Sequence, residues 1–298
     1  GKGIVPDDHP LSLSAGVVTK DGHNIISSAD MILAVGTELA ETDSFAGALH
    51  IPGQIIRVDI DPLKLSDQHP TTIGIVSDAA VAMAALKDAC AGHVEQISTK
   101  NTAIVAATKA AIMSKLNASE KQHSRLLQLM RGCLSDHAII SNDACQIAYT
   151  GTFAMPSRAP RSWFFPAGYC ALGNALPNAI GAKMAKPDHD VVTVVGDGGF
   201  MFTMPELMVA AEHNMPLPVI VWDNGGYKQI RDDMDDRNIP RIGVEGMRPD
   251  FELLAKACHC DFIAPKDADS FTTGLTHALA ASRPTLIHIC ENDEWLCV

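Results

Sequence analysis

The chain of 298 residues lacks a basic surplus: 23 Lys and Arg face 35 Asp and Glu, for a net charge of −12. Such a balance argues against a nucleic-acid partner, which needs a basic face. A diphosphate ligand remains admissible, because a divalent cation would bring positive charge with it. No apolar run reaches the length of a membrane-spanning helix, and the N-terminus carries no secretory signal. The eight cysteines therefore read as reduced thiols of a cytoplasmic protein. Only Cys258 and Cys260 lie close together, and C-x-C without a second cluster is a poor zinc pattern. The twelve histidines contain no H-E-x-x-H, so they are expected on the surface or in the core. What the chain does have is 47% hydrophobic residues, enough for two packed domains.

The run Val191-Val192-Thr193-Val194-Val195 is five consecutive β-branched residues, which suits a strand covered on both faces of a parallel sheet. It leads into Gly196-Asp197-Gly198-Gly199, a glycine turn carrying one carboxylate, where a ligand can approach the backbone closely. Thr203, Met204, Pro205 and Glu206 then predict a helix start. A second apolar strand, Leu217 to Trp222, ends in Asp223-Asn224-Gly225-Gly226-Tyr227, with Asn224 27 positions after Asp197. One helix and one strand fit that interval, so the carboxyl ends of two neighbouring parallel strands can meet at one crevice. The Asp197 carboxylate, the Asn224 amide oxygen and the Gly226 carbonyl would then converge as hard oxygen donors suited to Mg²⁺.

The pair G-D-G-G at 196–199 and D-N-G-G-Y at 223–227 resembles the signature of thiamine-diphosphate enzymes. The resemblance implies that Asp197, Asn224 and Gly226 hold Mg²⁺. Gly196, Gly198, Gly199 and Tyr227 would line the diphosphate. Cys170-Ala171-Leu172-Gly173-Asn174-Ala175-Leu176-Pro177 is similar to a further family segment, and it implies that Leu172 is the catalytic wedge that bends the cofactor; the plainer reading is a core leucine. Three positions depart from the pattern: Cys170 replaces a common glycine, Gly199 a serine or alanine, and Asp223 an asparagine. The last could tighten the metal or face away.

Upstream, Asp30 to Gly36, Ile55 to Ile60 and Thr72 to Val76 read as strands, and Asp78 to Cys90 as a helix. Strands alternating with helices predict parallel α/β structure. The Val35-Gly36-Thr37 turn reads as an ordinary strand end, since G-x-G-x-x-G is missing. GKGIVPDDHPLSL at 1–13, ADMILAVGTEL at 29–39 and IIRVDIDP at 55–62 resemble the middle domain of acetolactate-synthase-type enzymes. Some members bind FAD there; no residue pattern assigns FAD here. The expected organisation is an incomplete Rossmann-like α/β middle domain at 1–95 and a linker at 96–122. A parallel-sheet α/β diphosphate-binding domain, with helices on both faces, occupies 123–298. The opening at Gly1, without methionine and within an apparent turn, is expected to continue a longer protein.

The family implied is one that decarboxylates or joins 2-oxoacids using thiamine diphosphate and Mg²⁺. Its proton relay begins at a glutamate in a pyrimidine-binding domain contributed by a partner subunit, and no match to that domain is present. The expected assembly is a homodimer or homotetramer, and the chain alone is expected to hold at most half a cofactor site. GTELAETD at 36–43 and YKQIRDDM at 227–234 are most similar to 5-guanidino-2-oxopentanoate decarboxylases. Asp232, Asp233, Asp235 and Asp236 are ordinarily a solvated helix face; bordering the site, Asp232 and Asp233 could instead select a cationic substrate tail. Two alternatives stand: the diphosphate-binding subunit of a split enzyme, and a non-catalytic FAD- or nucleotide-binding module.

Overall fold

The computed structural model describes residues 1–45, 48–93 and 99–297. The chain divides into two compact units, one formed by 9–115 and the other by 1–8 with 116–298.

The smaller unit runs α1 (Lys20–Ser28), β1 (Met31–Val35), α2 (Glu41–Ser44), β2 (Gln54–Asp59), β3 (Ile73–Val76), α3 (Ala79–Ala89) and α4 (Thr99–Ser114). Its three strands form a parallel sheet in the order β1-β2-β3. Ile55, Val58 and Ala34 supply the buried apolar side chains of that sheet. The outer strand β3 is exposed along its whole length, and α3, capped by the Asp78 carboxylate, buries none of its residues. Much of the stretch expected as linker is helical here, since α4 covers 99–114.

The larger unit opens with α5 (Ala118–Cys133), whose capping box pairs Asn117 with Glu120. It continues through β4 (Ile139–Asn142), α6 (Gln146–Ala154), β5 (Trp163–Phe164), α7 (Ala175–Ala185), β6 (Val191–Gly196), α8 (Asp197–Thr203) and α9 (Leu207–Glu212). The rest is β7 (Pro218–Asp223), α10 (Lys228–Asp236), α11 (Phe251–Ala257), β8 (Asp261–Ile263), α12 (Ala268–Leu279) and β9 (Thr285–Cys290). All six strands are parallel, ordered β5-β4-β6-β7-β9-β8.

Alternation along the strands builds two cores. Val192, Val194, Ile220, Trp222, Ile287 and Ile289 pack on one face with residues of α5, α6 and α12. Val191, Val195, Val219, Val221 and Leu286 pack on the other with residues of α7, α9 and α11. Both faces are therefore covered by helices, which is why β6 and β7 consist of buried residues throughout.

Two sequence expectations need correction. The helix after the glycine turn begins at Asp197 itself, so the G-D-G-G motif forms a helix's first turn; Met204–Glu206 is a separate 3₁₀ turn. The apolar run Thr285 to Cys290 reads in the sequence as the strand that closes the sheet, but β9 inserts between β7 and the three-residue edge strand β8. So short a strand carries too little apolar pattern to be read in advance.

Candidate cofactor and metal site

The chain crosses from β5 on one side of β4 to β6 on the other, so the sheet reverses its winding between β4 and β6. Open α/β sheets bind ligands at the carboxyl ends of strands flanking such a reversal. Here those ends are Asn142-Asp143 on β4 and Gly196-Asp197 on β6, with β7 alongside in a register that pairs Gly196 with Trp222. A cleft of about 250 Å³ opens at this place. Gly196, Gly198, Gly199, Leu172, Asn224, Gly226 and Tyr227 all line it.

Asp197 is buried, and its carboxylate accepts the Gly226 N–H at 2.7 Å and the Asn224 N–H at 3.5 Å. The two loop tips read as partners in the sequence are thus joined. Burial first, and then the negative charge of Asp223, push the Asp197 carboxyl above its usual range, while the backbone N–H groups pull it back. Among the described residues no ion pair involves Asp197. A buried carboxylate beside a second one, with no side-chain cation bonded to it, fits a metal site, where a bound cation would balance its charge.

Asp223 contrasts with it. Oδ1 accepts Arg248 Nη1 at 2.5 Å and the Gly225 N–H at 3.2 Å, and Oδ2 lies 2.9 Å from His288 Nε2. Burial raises this carboxyl, but the bonds from His288 and Arg248 outweigh it and hold Asp223 below the usual range. Both oxygens are therefore already engaged by the chain's own groups. Asp223, His288 and Cys290 do bring three metal-ligand atoms within 4.8 Å of one another, yet the Arg248 guanidinium already serves that carboxylate.

The glycines are required by their surroundings. Gly226 has φ +113°, and a Cβ there would lie 2.5 Å from the Val244 carbonyl oxygen. A Cβ on Gly198 would stand 2.8 Å from the Tyr227 ring. Arg231 holds the same loop by donating to the carbonyls of Asn224 and Gly225.

Asp143 was not anticipated from sequence. It follows the short strand β4 and is fully buried, accepting the N–H groups of Gly173 at 2.7 Å and Asn174 at 3.3 Å. Burial pushes its carboxyl up. A Cβ on Gly199 would collide with Asp143 Oδ2, so the glycine standing in place of serine or alanine leaves room for this carboxylate. Thr203 donates to the Gly173 carbonyl at 2.7 Å rather than capping a helix. Asp143 and Thr203 between them clamp the turn that carries Leu172, whose side chain lies over Gly199 in the cleft. Cys170, in the glycine-preferring left-handed region at φ +49°, shows why glycine is common there. Gln146 and Tyr149 on α6 and Lys228, Gln229 and Ile230 on α10 also line the cleft. Gln146 and Tyr149 belong to no motif, so nothing in the sequence singles them out, whereas Lys228, Gln229 and Ile230 fall in the stretch 227–234 already noted for its resemblance.

Residues 144–289 match the family described as the C-terminal TPP-binding domain of thiamine pyrophosphate enzymes, and residues 1–86 match that family's central domain. The chain belongs to the thiamine pyrophosphate enzymes. It is 39% identical over 290 residues to a probable 2-ketoarginine decarboxylase of Pseudomonas aeruginosa, an alignment covering 97% of this chain and 52% of that protein. A probable acetolactate synthase large subunit of Methanocaldococcus jannaschii is 27% identical, covering 97% and 51%. A thiamine diphosphate-dependent 4-hydroxybenzoylformate decarboxylase of Rhodococcus jostii superposes with a TM-score of 0.74 at 25% identity, over 96% of this chain and 53% of that one. The chain thus spans about half the length of the relatives it matches. The matched C-terminal domain is described as the one that binds thiamine pyrophosphate, and Mg²⁺ is the usual metal of the family. Among the described residues no helix is long and apolar enough to cross a membrane.

Proposed function

We propose that this chain supplies the diphosphate- and metal-binding half of a thiamine-diphosphate-dependent enzyme that decarboxylates a 2-oxoacid. The observation that carries the reading is the pairing of the two loop tips: the buried Asp197 carboxylate takes the N–H groups of residues 224 and 226 and has no side-chain cation of its own.

In this reading Asp197, the Asn224 amide oxygen and the Gly226 carbonyl hold Mg²⁺. Gly196, Gly198, Gly199 and Tyr227 border the diphosphate, and Leu172 is the wedge beneath the bend of the cofactor. When bound, the cofactor supplies a carbon nucleophile and an electron sink for the loss of carbon dioxide. The chain's own residues contribute position: Asp143 and Thr203 fix the Leu172 turn, and Arg231 and Asp223 fix the 224–226 loop. The stretch 1–95 acts as part of a central domain, 96–122 joins it to the domain at 123–298, and a pyrimidine-binding domain from a partner subunit completes the site in a cytoplasmic homodimer or homotetramer. Among 2-oxoacids, the 39% identity to a 2-ketoarginine decarboxylase, against 27% to an acetolactate synthase, favours decarboxylation of a guanidino acid over carboligation.

The test is calorimetric titration with thiamine diphosphate at fixed Mg²⁺, without and with EDTA. Binding that requires the metal and disappears in Asp197→Ala is expected. Metal-independent binding, or binding untouched by the substitution, would favour a nucleotide module instead.

A further inference from the structure

The four carboxylates of α10 are not equivalent. Asp232 is paired with Lys228 Nζ at 2.6 Å, one turn back on the same helix. Asp235 takes Arg241 through two nitrogens, at 2.8 and 2.7 Å. Asp233 has a different neighbour: its Oδ1 accepts Gln229 Nε2 at 3.2 Å, and Gln229 Oε1 in turn accepts Gln146 Nε2 at 2.9 Å. Among the described residues no ion pair involves Asp233. Both glutamines line the cofactor cleft, as does Tyr149, whose phenol is pushed up to about 12, first by burial and then by the charges of Cys170, Cys145, Asp143 and Asp233. A chain of hydrogen bonds therefore runs from the cleft wall to one carboxylate that lacks a cation.

We propose that Asp233 determines substrate specificity by receiving the cationic, guanidinium-type tail of the 2-oxoacid at the α10 end of the cleft; this rests on the decarboxylase reading above. A guanidinium is planar and offers paired N–H donors that match a carboxylate edge to edge. The cleft-lining Gln229 stands one helical turn before Asp233, roughly 6 Å along the axis, so the carboxylate borders the mouth rather than the floor. Ile230 offers an apolar wall for a methylene spacer. The one ammonium on this wall, Lys228, would repel such a tail, and its pairing with Asp232 cancels that charge. Asp233 and Asp236 are both exposed, and of the two it is Asp233 that is bonded to the cleft-lining Gln229.

The experiment compares two substrates of the holoenzyme, 5-guanidino-2-oxopentanoate and its uncharged isostere 5-ureido-2-oxopentanoate. For the wild type kcat/KM favours the guanidino acid; Asp233→Asn lowers that preference at least tenfold, through KM and with kcat little changed. Asp233→Glu restores part of it, and Asp236→Asn shifts it less than twofold. A preference that survives Asp233→Asn, or one lost equally in Asp236→Asn, overturns the proposal. A wild-type enzyme that decarboxylates only uncharged 2-oxoacids overturns it too, while leaving the decarboxylase reading in place. An enzyme that decarboxylates no 2-oxoacid removes both.

Discussion

The two units build the same kind of strand end and use it differently. In the smaller one, the crevice after β1 is filled from within: Arg57, buried on β2, donates to the Thr37 carbonyl at 3.0 Å and to the Asp67 carboxylate at 2.6 Å. In the larger one, Asp197 directly follows β6, buried and bound by backbone N–H groups. Charge balance separates them. Where the chain supplies its own cation the strand end is a structural joint, and where it withholds one the strand end fits the metal proposed above. Asp223 repeats the lesson beside the site itself, since Arg248 and His288 make it a joint although its neighbour is not.

The largest effect that tests this contrast is on binding. Asp197→Ala should weaken the binding of thiamine diphosphate with Mg²⁺ beyond detection by calorimetry, whereas Asp67→Asn should leave it within twofold. Equal losses would dissolve the distinction between the two strand ends.

A second contrast lies in the sheets. Ile220, on a strand buried on both faces, should cost about 2–5 kcal/mol when replaced by alanine. Ile75 on exposed β3 should cost less than about 1 kcal/mol under the same urea denaturation. Comparable costs would mean that β3 is covered in solution.

The third prediction concerns pH. Burial raises the Asp67 carboxyl, but the hydrogen bonds from Arg57 and the His69 N–H, with the charge of Arg57, outweigh it, so the folded value lies below the usual one. A depressed carboxylate contributes stability that is fully present above its unfolded value and is lost as pH falls through the folded one. Asp67→Asn should therefore destabilise the smaller unit by about 3 kcal/mol near neutrality, because Arg57 is left buried without its partner. The difference from wild type should shrink steadily as the solution is acidified below the ordinary carboxylate range. Amide exchange of β2 at several pH values reads it out, and a gap that widens in acid would contradict the assignment.

The last contrast is between two glycines at positive φ. Gly36→Ala meets no atom within 4 Å and should cost only the left-handed penalty of about 1–2 kcal/mol. Gly226→Ala adds a collision with Val244 and should also lower metal affinity; if the two variants behave alike in thermal melts and titrations, the 224–226 loop is softer than described here.

The parts of this molecule that could be read from sequence are those where one residue type has one physical meaning. Five β-branched residues in a row signal a doubly covered strand, and a glycine-flanked carboxylate 27 positions from an asparagine signals two strand ends at one crevice. Asp143 stayed hidden because an aspartate after a four-residue strand has many possible uses, and only the nearby Gly199 and Gly173 give it one. The helix start at Asp197 escapes the sequence for a related reason: three glycines suggest a loop, and the burial of Phe200 in that first turn and a half overrides the preference. The role of Asp223 required Arg248 and His288, which lie 25 and 65 residues further on.

The central claim is that a single divalent ion joins residues 197 and 224. Mn²⁺ in place of Mg²⁺ gives it a direct spectroscopic test: electron paramagnetic resonance of the chain with thiamine diphosphate should show one bound Mn²⁺, with nitrogen coupling absent because every protein ligand is an oxygen, and Asp197→Ala should abolish the bound signal. A bound signal that persists in Asp197→Ala, or that carries histidine nitrogen coupling, would place the metal elsewhere and contradict the account.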